Sequence, residues 1–156
     1  MTVKIIAVGK IQKMYQEIQS EFIKRLSRYC KCEVIEVSDE QAPEKLSDAQ
    51  RVAVQLAEWE KIKKKLADSD FLVALDSTGK SLSSVELSAQ LEAWQNEKNL
   101  VFALGGSLGF HPDALKRANY TLSLSKMTFT HSMARVILLE QIYRGFKINA
   151  NEPYHK

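Results

Sequence analysis

The sequence predicts an α/β protein with a mainly parallel sheet flanked by helices, folded as a single domain over residues 1–156. Three observations carry this. Short apolar runs alternate with longer segments of helical period, the pattern of strand-helix-strand crossovers. Leu100-Val101-Phe102-Ala103-Leu104 is apolar without a break, as a strand buried on both faces must be. That run stops at Gly105-Gly106-Ser107-Leu108-Gly109, a turn where backbone lacking Cβ atoms can approach a ligand closely.

Taken in order, Val3 to Val8 is the first strand, ended by Gly9-Lys10, and Met14 to Tyr29 is a helix with Ile18, Phe22, Ile23 and Leu26 at helical spacing. Cys32 to Val37 alternates as the second strand, and a polar connection from Ser38 to Lys45 contains Pro43. Ser47 or Asp48 then caps a long helix from Ala49 to Leu66, apolar along Val52, Leu56, Trp59, Ile62 and Leu66. Its other side carries Lys61, Lys63, Lys64 and Lys65, which is either a solvated face or an RNA contact. Phe71 to Leu75 is the third strand, followed by a turn-rich loop from Asp76 to Lys80. Ser83 and Glu86 form a capping box that opens the helix carrying Leu87, Leu91 and Trp94. After the fourth strand and the glycine turn, Pro112 at a first helical position and Asp113 near the positive end of the dipole start a short helix to Ala118. Tyr120 to Leu124 is the fifth strand.

The last helix, Ser132 to Lys147, is apolar over far more than one stripe, through Met133, Val136, Ile137, Leu138, Leu139, Ile142, Tyr143 and Phe146. Such a helix is buried on more than one side. It is either central to the core or shared with a second subunit, and the second alternative is the working expectation. The polar residues Asn149 to Lys156 are expected to fray.

Composition narrows the function classes. A net charge of +3 and a pI near 8.8 permit contact with phosphate without demanding it. Cys30 and Cys32 are spaced for neither a disulfide framework nor a zinc site, so reduced thiols and no metal are expected. The chain passes from Met1 directly into a strand pattern and has no apolar run long enough to span a membrane, so a cytoplasmic protein without membrane contact is expected. The segments Asp76 to Lys80, Gly105 to Phe110 and Ser125 to Thr130 each leave the carboxyl end of a strand, where parallel sheets bind ligands, and should converge on one crevice. There is no P-loop and no glycine fingerprint after the first strand, which disfavours the ordinary nucleotide folds.

Several motifs then act together: Leu75-Asp76 with Gly79-Lys80, Leu104-Gly105-Gly106-Ser107 with Gly109, the run Leu122 to His131, and the ending Tyr154-His155-Lys156. In combination they resemble the bacterial ribosomal large subunit pseudouridine methyltransferase H family, from Val3 to the last residue. The resemblance implies a SPOUT-type fold with a C-terminal trefoil knot, and a homodimer. It implies methyl transfer from S-adenosylmethionine to N3 of a pseudouridine in 23S rRNA on the assembled ribosome, with S-adenosylhomocysteine as product. Cofactor contacts carry over to Leu75, Gly105, Leu124, Ser125, Lys126, Met127, Thr128 and Phe129.

An adenine and a sulfonium need an apolar slot with backbone donors and acceptors, and the sulfonium is already activated, so alignment is the protein's main task. A ring imide is a weak acid, so proton removal or stabilisation of its anion speeds attack. The candidates for that role are Arg144 as a cation, Glu140 four residues before it, His131 beside the cofactor loop, and Tyr154 and His155 in the tail. Each has a plainer reading: Glu140 and Arg144 as a helical ion pair, His131 as a helix cap. The tail is expected to fold over the site when RNA binds. Thr130, Asn151 and Leu108 stand where the family commonly has proline, glycine and a polar residue. Two other functions are open to the same sequence: a non-catalytic ribosome-associated dimer with an empty crevice, and a phosphate- or nucleotide-binding domain using the glycine turn as an anion cradle.

Overall fold

A computed structural model describes residues 1–156. Five strands form one parallel sheet: β1 (Thr2–Val8), β2 (Lys31–Val37), β3 (Phe71–Ser81), β4 (Asn99–Leu104) and β5 (Tyr120–Ser123), in the order β2-β1-β4-β3-β5. Alternate residues of the inner strands face opposite sides, and both sides are covered. Val3, Ile5, Val73, Leu100 and Phe102 enter one core, while Ile6, Val8, Leu72, Val101 and Ala103 enter the other. The unbroken apolar run of β4 follows from this double burial.

Helices α1 (Lys13–Leu26), α3 (Ser84–Ala93) and α5 (His131–Asn149) cover the first face; α2 (Asp48–Lys63) and α4 (Pro112–Arg117) cover the second. Ser47, not Asp48, caps α2 in a capping box with Gln50, and Ser83 pairs likewise with Glu86 at α3. His111 caps α4 just before Pro112. α5 lies between α1 and α3, and Leu138, Leu139 and Ile142 have no exposed surface within this one chain. Of the two sequence alternatives for its excess apolar surface, the central core helix therefore accounts for these positions; a second subunit is not needed to bury them.

The segment Asp76 to Lys80 is not a loop beyond the strand. β3 runs through it to Ser81, and both Leu75 and Lys80 pair with Leu122, so the residues between them bulge out of the ladder. Gly79 is required there, because a Cβ on it would stand 2.6 Å from the Thr121 carbonyl. Turn-forming residue types signal a departure from regular strand, and in isolation they do not distinguish a bulge from a turn.

The start of α5 is fixed by a cation. Arg135 has no exposed surface. Its Nη1 donates to Glu36 Oε2 at 2.6 Å and its Nη2 to the Gly9 carbonyl at 3.1 Å, while Nε is buried without a partner. The same Glu36 oxygen accepts from the Ile11 N–H at 2.7 Å, and Ser132 Oγ accepts from the Gln12 N–H at 2.9 Å. The helix is thus tied to the ends of both β1 and β2. Desolvation pushes the Glu36 carboxyl up, but the bonds from Arg135 and Ile11 outweigh it and hold the group below the usual glutamate range. Its stabilisation is therefore complete above the ordinary glutamate pKa and lost as pH falls through the lower folded value. We expect Arg135→Ala to lose about 3 kcal/mol in urea unfolding at neutral pH. The gap to the parent protein should narrow on acidification below about pH 4; a constant gap would show that the ion pair contributes nothing.

Candidate functional site

A cavity of about 690 Å³ opens at the carboxyl end of the sheet, a volume suited to a ligand the size of a nucleoside derivative. Three segments wall it: Leu75 to Ser77 from the β3 bulge, Leu104 to Phe110 from the glycine turn, and Ser123 to His131 after β5, except Lys126. Gln12 and Ala134 complete it. Their convergence follows from strand order, because β4, β3 and β5 are neighbours and their carboxyl ends are level.

The glycine turn closes with the Gly109 N–H donating to the Gly106 carbonyl at 3.0 Å, and Gly109 has φ +76°, which a residue with a side chain adopts at a cost. A Cβ at Gly105 would meet no protein atom closer than 3.4 Å. That is ordinary van der Waals contact with Gly109 and Phe110, so a methyl group there would fit without strain against the protein. In the segment after β5, Ser125 Oγ accepts from the Met127 N–H at 3.0 Å and the Ser125 carbonyl accepts from Ser123 Oγ at 3.1 Å, folding the chain back over the opening. Met127 is 77% exposed and Phe129 also lies open, so two large apolar side chains stand at the rim. Asp76 is the carboxylate in the wall, and its Oδ2 accepts from both the N–H and the hydroxyl of Thr78.

Leu75, Gly105, Leu124, Ser125, Met127, Thr128 and Phe129 are therefore brought together as expected, whereas the Lys126 side chain is exposed and outside the wall. His131 lines the cavity too. It is not a helix cap: Thr130 occupies that position without a side-chain bond, and His131 Nε2 lies 3.0 Å from the Lys10 carbonyl. A carbonyl only accepts, so Nε2 carries the proton and Nδ1 is the free nitrogen.

The other four candidates gather elsewhere. Glu140 Oε1 accepts from Arg144 Nη2 at 2.5 Å and from the Tyr154 hydroxyl at 3.0 Å; Arg144 lies over the Tyr154 ring at 4.7 Å, and its Nη1 is 3.2 Å from His155 Nδ1. None of them lines the cavity. Arg144 is some ten residues beyond Ala134, about 15 Å further along the helix. Within one chain the expected catalytic set is thus split, with His131 at one end of α5 and the remaining four toward the other. None of Lys61, Lys63, Lys64 and Lys65 lines the cavity, and Lys61 is engaged with Ser38 and Glu40.

Nor does the tail fray. Glu152 Oε2 accepts from Lys147 Nζ at 2.5 Å and from the Tyr29 hydroxyl at 2.6 Å, Asn151 takes the left-handed conformation at φ 54°, and the Tyr154 ring packs edge-on against Tyr143 at 4.9 Å. Asparagine tolerates that backbone nearly as glycine does. The contact to Tyr29 spans most of the chain, which no local pattern announces. Lys147 and Tyr29 hold the Glu152 carboxyl below the usual range, so the latch is present above the ordinary glutamate pKa and released as pH falls through the folded value. Glu152→Gln should lower the amide protection factors across 150–156 at neutral pH to those the parent shows only in acid; unchanged protection would mean the aromatic packing alone holds the tail.

The geometry fits an adenosyl sulfonium: apolar walls from Leu75, Leu104, Leu124 and Phe110, backbone from two tight segments, and one carboxylate. Comparison with known proteins points the same way. The sequence matches the family described as predicted SPOUT methyltransferase over residues 1–155. It is 50% identical to a protein of Bifidobacterium animalis subsp. lactis, 48% identical to one of Acetivibrio thermocellus and 47% identical to one of Clostridioides difficile, in each case over 100% of both chains. All three relatives bear the name ribosomal RNA large subunit methyltransferase H.

Proposed function

Because the chain belongs to the SPOUT methyltransferase family, we propose that it methylates N3 of a pseudouridine in 23S rRNA on the assembled ribosome, acting as a cytoplasmic homodimer. Methylation of ribosomal RNA with S-adenosylmethionine as donor is the activity of this family and of this protein. The observation that carries the site assignment is the single cavity at the carboxyl ends of β3, β4 and β5. When bound, S-adenosylmethionine supplies an electrophilic methyl group, and S-adenosylhomocysteine leaves.

The residues assigned to hold the cofactor are Leu75, Gly105, Leu124, Ser125, Met127, Thr128 and Phe129. Lys126 belongs to the same segment but faces solvent, where it suits the RNA phosphate better than the cofactor. His131, which lines the cavity with Nε2 held on the Lys10 carbonyl, is assigned as the acceptor of the imide proton at Nδ1. Arg144 is held at full charge by Glu140, which suits a cation that steadies a uracil-type anion or a phosphate. Tyr154 offers a ring to stack on a base, and His155, whose Nδ1 faces the donating Arg144 guanidinium, becomes a further proton acceptor when Arg144 turns to the substrate.

Homodimer formation is supported by the exposed apolar residues Met14 and Ile18 on α1 and Met133 on α5, near which Phe129 also lies open. The proposal is a two-fold pairing of those faces in which the Arg144 and Tyr154 cluster of one protomer serves the cavity of its partner. The trefoil knot is supported by the connections at the carboxyl end. β3 runs on beside β5 in the sheet, with Ser81 paired to Ser123, before entering α3, whereas the segment after β5 returns to place His131 at Lys10, beyond β1. Crossed connections at one end of a sheet are otherwise avoided.

Two measurements test this. Titration should give micromolar binding of S-adenosylmethionine and none of ATP, and radiolabelled methyl should enter intact ribosomes in preference to naked rRNA; binding of neither ligand would point to a non-catalytic ribosome-bound dimer, and binding of ATP instead to a phosphate- or nucleotide-binding domain. Removal of Tyr154 to Lys156 should abolish methyl transfer while sparing cofactor binding. Mixed dimers of this truncated chain with a Leu124→Trp chain, whose own cavity is filled, should regain activity if the tail serves the partner's cavity, and stay inactive if it serves its own.

A further inference from the structure

α2 braces the glycine turn from the side away from the cavity. Gln55 and Glu58, three residues apart, share one face of the helix. Gln55 Nε2 donates to the Leu108 carbonyl at 2.7 Å. Glu58 is 5% exposed and accepts from the Glu40 N–H at 3.1 Å. Its carboxylate occupies the place a side chain at position 106 would take, because a Cβ built on Gly106 would lie 2.6 and 2.8 Å from the two oxygens. Gly106 has no positive φ, so its backbone conformation does not demand glycine; a side chain there would instead have to displace the Glu58 carboxylate from its place. Neither Gln55 nor Glu58 lines the cavity, whereas Gly106 and Leu108, the residues they bear on, both do.

The brace is anchored in turn. Lys61 Nζ donates to the Ser38 carbonyl at 3.0 Å and pairs with Glu40 at 2.6 Å, fixing the segment whose N–H holds Glu58. Burial, with Asp39 and Glu40 adding to it and the Glu40 N–H and Lys61 opposing it, raises the Glu58 carboxyl above the usual range. A buried carboxyl is a costly way to fill space that an apolar side chain would fill. Its shape and its hydrogen bond are what an apolar residue lacks.

We propose that Glu58 and Gln55 are positioning residues that set where the glycine turn stands, and through it the width of the slot for S-adenosylmethionine, without touching the cofactor. This rests on the reading that the cavity at the carboxyl ends of β3, β4 and β5 takes that cofactor. Calorimetric titration of the full-length protein with S-adenosylmethionine and with S-adenosylhomocysteine, beside melting curves, tests both.

Glu58→Ala and Gln55→Ala should each weaken both ligands on the order of tenfold while the folded protein melts cooperatively. In steady state the loss should fall on KM for the cofactor, with kcat at saturation nearly restored. Glu58→Gln, which keeps the shape and an acceptor oxygen, should bind as the parent does. Gly106→Ala should weaken binding because its new methyl meets the carboxylate, and adding Glu58→Ala to it should recover affinity by making room. Parental affinity in both alanine variants, or a double variant whose loss is the sum of the two single losses, would overturn the proposal. Leu124→Trp separates the two readings. If it retains parental affinity, the cavity assignment falls and this proposal with it; if it abolishes binding while Glu58→Ala and Gln55→Ala do not alter it, only the brace is wrong.

Discussion

A guanidinium with no exposed surface stands one turn into α5, and the shape of the cavity follows from where that group is held. Burying a cation is costly unless its donors are met, and two of the three nitrogens of Arg135, Nη1 and Nη2, are met by Glu36 on β2 and by the Gly9 carbonyl just past β1, leaving only Nε without a partner. Those partners lie at the carboxyl end of the sheet. The helix therefore begins there and nowhere else, with Ser132 accepting from Gln12 and His131 reaching Lys10 on either side of the same anchor. A hydrophobic helix alone would be free to slide by a turn along α1 and α3, since apolar contact is non-directional. The ion pair removes that freedom.

With α5 pinned, the segment from Leu124 to Thr130 is stretched between two fixed points, the end of β5 at the sheet edge and the Arg135 anchor near β1. It crosses above β3 and β4, and so roofs the space between the β3 bulge and the glycine turn. The other two walls are placed by different means. The bulge is set by Gly79 passing directly over Thr121, and the glycine turn by its own closing bond and the helix behind it. The cavity is thus an outcome of three separately fixed pieces of backbone, which suits a ligand read largely through backbone contacts and apolar walls.

The architecture was legible because burial on both faces leaves a direct mark: Val3 to Val8, Phe71 to Leu75 and Leu100 to Leu104 could hardly be anything but inner strands, and the caps at Ser47 and Ser83 marked where helices begin. The cavity lining was legible for the same reason, since parallel strands level their carboxyl ends. What stayed hidden depends on partners far apart in the chain. Arg135 reads as one polar residue on an apolar helix until Glu36 is seen beside it, and Glu152 reads as part of a loose tail until Tyr29 supplies its hydroxyl. The Asp76 to Lys80 bulge was hidden differently, because serine, threonine and glycine serve turns and bulges alike, and only the pairing of Leu75 and Lys80 with one residue decides.

The division of polar groups along α5 has a consequence for how any reaction here is assembled. His131, Glu140 and Arg144 share one helix, on whose far end the tail seats Tyr154 and His155, and a helix is a rigid spacer with a rise of about 1.5 Å per residue. No rotation of side chains brings Arg144 from its bond with Glu140 to the wall that holds His131. The tail cannot supply the difference by swinging freely either, because Glu152 is held by Lys147 and Tyr29 and the Tyr154 ring is seated on Tyr143. A cluster that is rigid, charged and preassembled costs little entropy to bring to a substrate, provided the whole body carrying it is brought at once. A second protomer would meet that condition, so the proposed role of this cluster and the proposed homodimer stand or fall together.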